Sequence, residues 1–183
     1  MSFQIAMASR WTKAGGIIAY PTEAVFGLGC DPADPVAVTR LLAIKRRPVG
    51  KGLILVAASW SQLQPWLQKL PEPLEQRLHA TWPGPVTWLV PAANDCPPWL
   101  TGDHDTLAVR VSAHPVVRAL CEKFGGALVS TSANISSLAP ARSVLQVQLR
   151  FARLVDFIVP GPLGDRQQPT TIRDLKSGRT VRA

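Results

Sequence analysis

The run Gly52 to Ala57 (GLILVA) contains no polar side chain, the pattern of a strand buried on both faces rather than one with a wet side. Such a strand needs a packed layer above and below its sheet, which points to a layered α/β or α+β fold. Further short apolar segments follow the same logic. Gly16 to Tyr20, Val86 to Val90, Leu107 to Val111, Ala127 to Ser130, Val155 to Val159, Thr171 to Leu175 and Thr180 to Arg182 read as strands, the last two around a Ser177-Gly178 turn. Phe26-Gly27-Leu28-Gly29 carries two glycines close together, a sign of tight backbone approach or unusual dihedrals.

Helical segments alternate with these strands. Asp34 supplies an N-cap and Pro35 the first helical position, after which Val38, Leu41, Leu42 and Ile44 share one face until Pro48 stops the helix. Ser59 caps a second helix carrying Leu63, Trp66, Leu67 and Leu70, and Pro71 to Thr81 forms a third. His114 to Phe124 and Ser143 to Phe151 complete the set, while Trp82-Pro83-Gly84-Pro85 is a rigid turn. The expectation is one three-layer domain over residues 1–183, α/β (α+β), with a twisted mixed sheet of about seven strands flanked by helices.

Composition narrows the class. Hydrophobic residues at 46% and charged residues at 17% exclude intrinsic disorder, and 17 prolines with 13 glycines fit many short elements joined by stiff turns. Cys30, Cys96 and Cys121 are odd in number, far apart and without C-x-x-C spacing, which argues against a disulfide framework or a zinc site. Met1 to Gly15 lacks a basic segment followed by an apolar one, and no apolar run approaches the roughly 20 residues that span a bilayer. A cytoplasmic protein without membrane contact is expected.

Twenty Lys and Arg against 12 Asp and Glu leave a net charge of +8. The excess is concentrated: Arg40, Lys45, Arg46, Arg47 and Lys51 stand together with no acid among them, and a second basic stretch runs from Arg142 to Arg182. That balance suits a polyanionic partner, a nucleotide or a nucleic acid.

Three segments can carry chemistry. Lys45-Arg46-Arg47-Pro48 either complements a helix C-terminus or places basic heads on a loop beside a buried strand, where α/β sheets hold ligands. Ser130-Thr131-Ser132-Ala133-Asn134 either closes a cap or turn, or cradles the phosphates or sugar of a nucleotide. Arg110 lies between apolar neighbours, so it needs a partner: it is half of a structural ion pair or a ligand for an anion. The chain has no phosphate-loop, dinucleotide-binding or nucleophile-elbow motif. His79, His104 and His114 are not at metal-ligand spacing. A reaction run by positioning and charge neutralisation fits better than covalent catalysis.

Taken together, AYPTEAVFGLGCD (Ala19 to Asp31), KRRPVGKGLILVA (Lys45 to Ala57), WPGPVT (Trp82 to Thr87), LAVRVSAHP (Leu107 to Pro115) and STSAN (Ser130 to Asn134) resemble the TsaC/YrdC family of L-threonylcarbamoyladenylate synthases in its short bacterial form. The resemblance implies a YrdC-like fold and a reaction in which L-threonine, bicarbonate and ATP give threonylcarbamoyl-AMP and pyrophosphate. The intermediate then passes to tRNA threonylcarbamoyl-transfer proteins that modify adenosine 37 of tRNAs reading codons that begin with A. The family's K-x-R…S-x-N signature falls on Lys45, Arg47, Ser132 and Asn134. By that resemblance Lys45 and Arg47 are catalytic and hold the triphosphate or carbamate, Ser132 and Asn134 the nucleotide side, and Thr87 and Arg110 belong to ATP. Thr22 matches a threonine-contacting position. In place of the family's late S-T-V-V-D segment stands Pro169-Thr170-Thr171-Ile172-Arg173-Asp174, where Thr170 keeps a hydroxyl for threonine and Arg173 departs from the pattern. Mg²⁺ is expected to travel with ATP, without a dedicated protein site. The additional C-terminal domain of longer relatives is not expected in a chain ending at Ala183.

Two other readings compete. The +8 charge and six tryptophans fit a non-catalytic module binding structured RNA or tRNA, although Trp60, Trp66, Trp82 and Trp88 lie in apolar contexts that suit a core. A carbamoyl-transfer domain like that of hydrogenase-maturation proteins shares the implied fold but comes with zinc-finger and acylphosphatase regions that this sequence lacks.

Overall fold

The buried run at Gly52 to Ala57 becomes the interior of a wide mixed sheet. The computed structural model describes residues 1–136, 138–168 and 170–182. Among them nine strands pair: β1 (Ile18–Pro21), β2 (Phe26–Gly29), β3 (Ile54–Ala57), β4 (Val86–Pro91), β5 (Thr106–Val111), β6 (Leu128–Ser132), β7 (Phe157–Ile158), β8 (Thr171–Asp174) and β9 (Thr180–Arg182). Their order across the sheet is β7-β1-β2-β6-β3-β5-β4-β8-β9. Six α-helical segments accompany them: α1 (Ser2–Lys13), α2 (Pro35–Lys45), α3 (Glu72–His79), α4 (Pro98–Thr101), α5 (Pro115–Phe124) and α6 (Val144–Phe151). Pro169, at the head of the late segment discussed above, and Ala183 lie outside the described residues.

Alternation along the strands builds the three layers. In β3, Leu55 and Ala57 join the larger apolar cluster and Val56 the smaller one on the opposite face. β6 divides in the same way, with Val129 on one side and Leu128 on the other. The smaller cluster is capped by α1 through Ile5 and Ala8 and by α5 through Val116, Val117 and Leu120. The larger is covered by α2 through Val38 and Leu41 and by α6 through Val147 and Phe151. Trp82 and Trp88 belong to that core. Among the described residues, no helix is long and apolar enough to cross a membrane.

Among the described residues the sheet has nine strands where about seven were expected. Phe26 to Gly29 is strand β2, although its glycines carry no β preference. Gly29 is required by crowding: a Cβ there would collide with the Val129 carbonyl oxygen and lie 2.9 Å from the Tyr20 hydroxyl. The helix expected after Ser59 is instead two short 3₁₀ turns, Trp60–Gln62 and Gln64–Trp66, with Pro65 inside the second. Helix α1 carried no clear sequence signal because its buried face mixes Ile5 and Ala8 with Ser9 and Thr12.

Candidate active site

β6 is the hinge of the site. Its first part pairs with β3, ending at Ser130 opposite Ile54, while Thr131 and Ser132 pair only with β2, opposite Leu28 and Gly27. β3 therefore stops short of the carboxyl end of β6, and a cleft opens there. The turn between β1 and β2 forms one wall of the cleft, and its volume is about 830 Å³ including the open mouth.

Arg47, Arg110 and Arg182 line this cleft. α2 delivers the first of them. Asp34 Oδ1 accepts from the N–H groups of Val36 (2.8 Å) and Ala37 (3.1 Å) to start the helix, as its sequence implied. Past Lys45 the chain turns through Arg46 in a left-handed conformation (φ 49°). Arg47 Nη2 then donates to Gly52 O at 2.9 Å and Lys51 O at 3.2 Å, which ties the guanidinium to the turn before β3. Burial, and then the charge of Arg182, lower the Arg47 pKa from its ordinary value, but a guanidinium stays protonated near neutrality. Among the described residues neither Arg47 nor Arg182 has a carboxylate within ion-pair distance.

The third arginine is held differently. Arg110 Nη1 donates to Thr170 Oγ1 at 2.7 Å, and Nη2 lies 3.2 Å from Glu23 Oε2. Thr170 Oγ1 is 3.2 Å from Thr87 Oγ1, and the other Glu23 oxygen accepts from Ser112 Oγ at 2.6 Å. Arg110 thus has the partner that its apolar strand demanded, and Thr170 and Glu23 fix its plane. Its Nε has no partner among the described residues.

Sequence-predicted residues separate into two groups. Thr22, Arg47, Arg110, Ser132 and Thr170 come together along one cleft. Lys45, Asn134 and Thr87 stand behind it. The Lys45 ammonium donates to Ser132 O (2.5 Å), Asn134 O (2.8 Å) and Asn134 Oδ1 (3.1 Å), so its three protons are all engaged. Asn134 Oδ1 also accepts from Ser132 Oγ at 2.6 Å, and its amide donates to Leu138 O. Thr87 is fully buried and meets the site only through the Thr170 hydroxyl. Thr22 donates its hydroxyl proton to Val25 O at 2.7 Å, leaving oxygen lone pairs for a ligand.

Glu23, Ser112 and Arg182 escaped the sequence reading. Glu23 was recoverable in principle, since a buried arginine requires an acid and the Pro-Thr-Glu turn supplies one; the register that joins them spans the sheet. Arg182 sits on an exposed edge strand, but its Nη2 reaches Thr170 O at 3.4 Å. Among the described residues no group of three or more His, Cys, Asp or Glu is placed to hold a metal ion. Glu23, the carboxylate of the cleft, is already bound by Arg110 and Ser112.

The sequence profile of the Sua5/YciO/YrdC family, described as "Telomere recombination", matches residues 10–183. A protein of Alkalilimnicola ehrlichii called threonylcarbamoyl-AMP synthase is 56% identical over 185 residues, covering 99% of this chain and 96% of that protein. One of the same name from Halorhodospira halophila is 53% identical over 180 residues, covering 98% and 94%. The crystal structure of P. abyssi Sua5 complexed with L-threonine matches with a TM-score of 0.90 at 33% identity, over 96% of this chain and 52% of that one. This chain thus spans about half the length of that protein. Matched by the profile over nearly its whole length and more than half identical to both synthases, the chain belongs to the Sua5/YciO/YrdC family.

Proposed function

We propose that this protein makes L-threonylcarbamoyl-AMP and pyrophosphate from L-threonine, bicarbonate and ATP, as a single YrdC-like domain acting in the cytoplasm. The product serves threonylcarbamoylation of adenosine 37 in tRNAs reading codons that begin with A, through downstream transfer proteins. The carrying observation is that Arg47 and Arg182, without carboxylate partners among the described residues, share one cleft with the Thr22, Arg110 and Thr170 group.

That cleft suits the reaction's charges. Threonine and bicarbonate form a carbamate, with loss of water, and a carbamate oxygen attacks the α-phosphorus as pyrophosphate leaves. Two anions must approach, so fixed cations lower the barrier and no protein nucleophile is required. Arg47 and Arg182 suit the phosphate side. Arg110, given to ATP by the resemblance, donates to Thr170, and this supports its use instead at a threonine end with Thr170 and Thr22. Ser132 offers its hydroxyl at the nucleotide side, while Lys45 and Asn134 hold that segment in shape. Mg²⁺ enters with ATP as part of that substrate, and the basic outer surface offers tRNA a place to rest.

Pyrophosphate release by the purified protein tests this reading, with Mg²⁺-ATP present and threonine and bicarbonate omitted in turn. Release should need both and should not need tRNA. ATP left intact with all three substrates present overturns it.

A further inference from the structure

Glu23 is the one carboxylate among the described residues that line the cleft. Its Oε1 accepts from Ser112 and its Oε2 from Arg110, at 2.6 and 3.2 Å. A carboxylate has about four acceptor positions, so each oxygen keeps room for one more donor. The backbone around it is fixed from outside. Gly164 N–H donates to Thr22 O at 3.0 Å and Arg166 N–H to Glu23 O at 3.1 Å, so the segment after β7 clasps the turn. A cation entering the cleft meets Arg47, Arg110 and Arg182 and finds favourable charge at Glu23 alone.

We propose that Glu23 recognises the ammonium of the amino-acid substrate, while Arg110 beside it receives the carboxylate. An α-amino acid carries both charges on one carbon. A carboxylate and guanidinium held side by side offer the complementary charges at a similarly short spacing. This pairing selects a free α-amino acid against acids that lack the amine, which a cleft of arginines alone would bind equally well. The inference rests on the proposed synthase reading, which supplies the amino acid.

Calorimetric binding to the full chain tests it without turnover, using L-threonine and its des-amino analogue 3-hydroxybutanoate as probes. The wild type should prefer threonine by about tenfold or more, the worth of one charge-assisted hydrogen bond. Glu23→Gln should weaken threonine by about that factor and leave the analogue unchanged. Glu23→Asp, which keeps the pair with Arg110 neutral while withdrawing the carboxylate, should act in the same direction and covers the case in which the glutamine variant fails to fold. Equal weakening of both probes would mean that Glu23 acts only through Arg110, and it overturns the assignment, as does an unchanged preference. Wild-type protein that binds neither probe removes the synthase reading as well, whereas threonine binding with unaltered selectivity in the variants removes this inference alone.

Discussion

The Lys45 ammonium lies 2.5 Å from the carbonyl oxygen of Ser132, which joins the last residue of α2 to the last residue of β6. Two further bonds to Asn134 and the caps from Ser136 N–H and Oγ to Lys45 O complete the tie. Through these bonds Lys45 holds the Ser132 segment in place. Lys45→Met keeps the length of the side chain but takes the donor from Asn134 O, at about 1–3 kcal/mol for an acceptor left unpaired, while Ser132 O keeps the Asn134 N–H and Asn134 Oδ1 keeps the Ser132 hydroxyl. Thermal unfolding should show a fall of several degrees together with the loss of turnover. Unchanged stability in a variant that has lost activity would assign Lys45 to the substrate instead.

Burial, helped by the nearby charge of Arg47, pulls the Lys45 pKa from 10.5 down to about 8. Between those values the unfolded chain binds more protons than the folded one, so stability rises with pH across the window. The contribution is fully present above 10.5 and is lost as pH falls through about 8. Urea unfolding from pH 8 to 10.5 should show this upward slope in the wild type and a flatter one in Lys45→Met. Identical slopes in the two proteins refute it.

Arg47 differs from Lys45 in facing the cleft. Arg47→Ala removes a fixed cation from the phosphate side and should slow turnover by about 2–4 kcal/mol, if magnitudes for stabilising a developing anion apply. Steady-state rates with saturating ATP, threonine and bicarbonate decide the matter, and a near-wild-type kcat would exclude the role.

Where side chains alternate or a helix begins, the chain announces its structure. The GLILVA run, the Asp34-Pro35 start of α2 and the helix beginning near Ser143 all appear where the sequence placed them. What stayed hidden depends on contacts between distant segments. β2 is a strand because its glycines let Tyr20 and the β6 backbone approach, and α1 packs through Ser9 and through Thr12, whose hydroxyl turns back to Ala8 O at 3.0 Å. In the site, Arg110 signalled that it needed a partner but not which one. Glu23 is 87 residues away and is set opposite it by the order of the strands.

Gly29 gives that order a direct test. Its missing Cβ would collide with Val129 O and meet the Tyr20 ring and hydroxyl at 2.9 Å, all inside the core. Gly29→Ala must push β2 away from β6 or displace Tyr20, and overpacking of this kind costs about 1–3 kcal/mol. A matching drop in the free energy of urea unfolding is expected. Wild-type stability would show that the junction of β2 with β6 has room to yield.

Gly164 tests the clasp over the Thr22-Glu23 turn. A Cβ there would lie 2.9 Å from Glu23 O and 3.0 Å from Glu23 Cα, backbone atoms that cannot step aside without moving the turn. The Gly164 N–H to Thr22 O and Arg166 N–H to Glu23 O bonds would stretch with it. The proposed function gives Thr22 and Glu23 to threonine and Arg47 to the phosphates, so the disturbance should be one-sided. Gly164→Ala is expected to raise KM for threonine severalfold, while KM for ATP and the overall stability change little. A larger effect on ATP than on threonine would place the clasp, and the turn it holds, at the nucleotide end of the cleft.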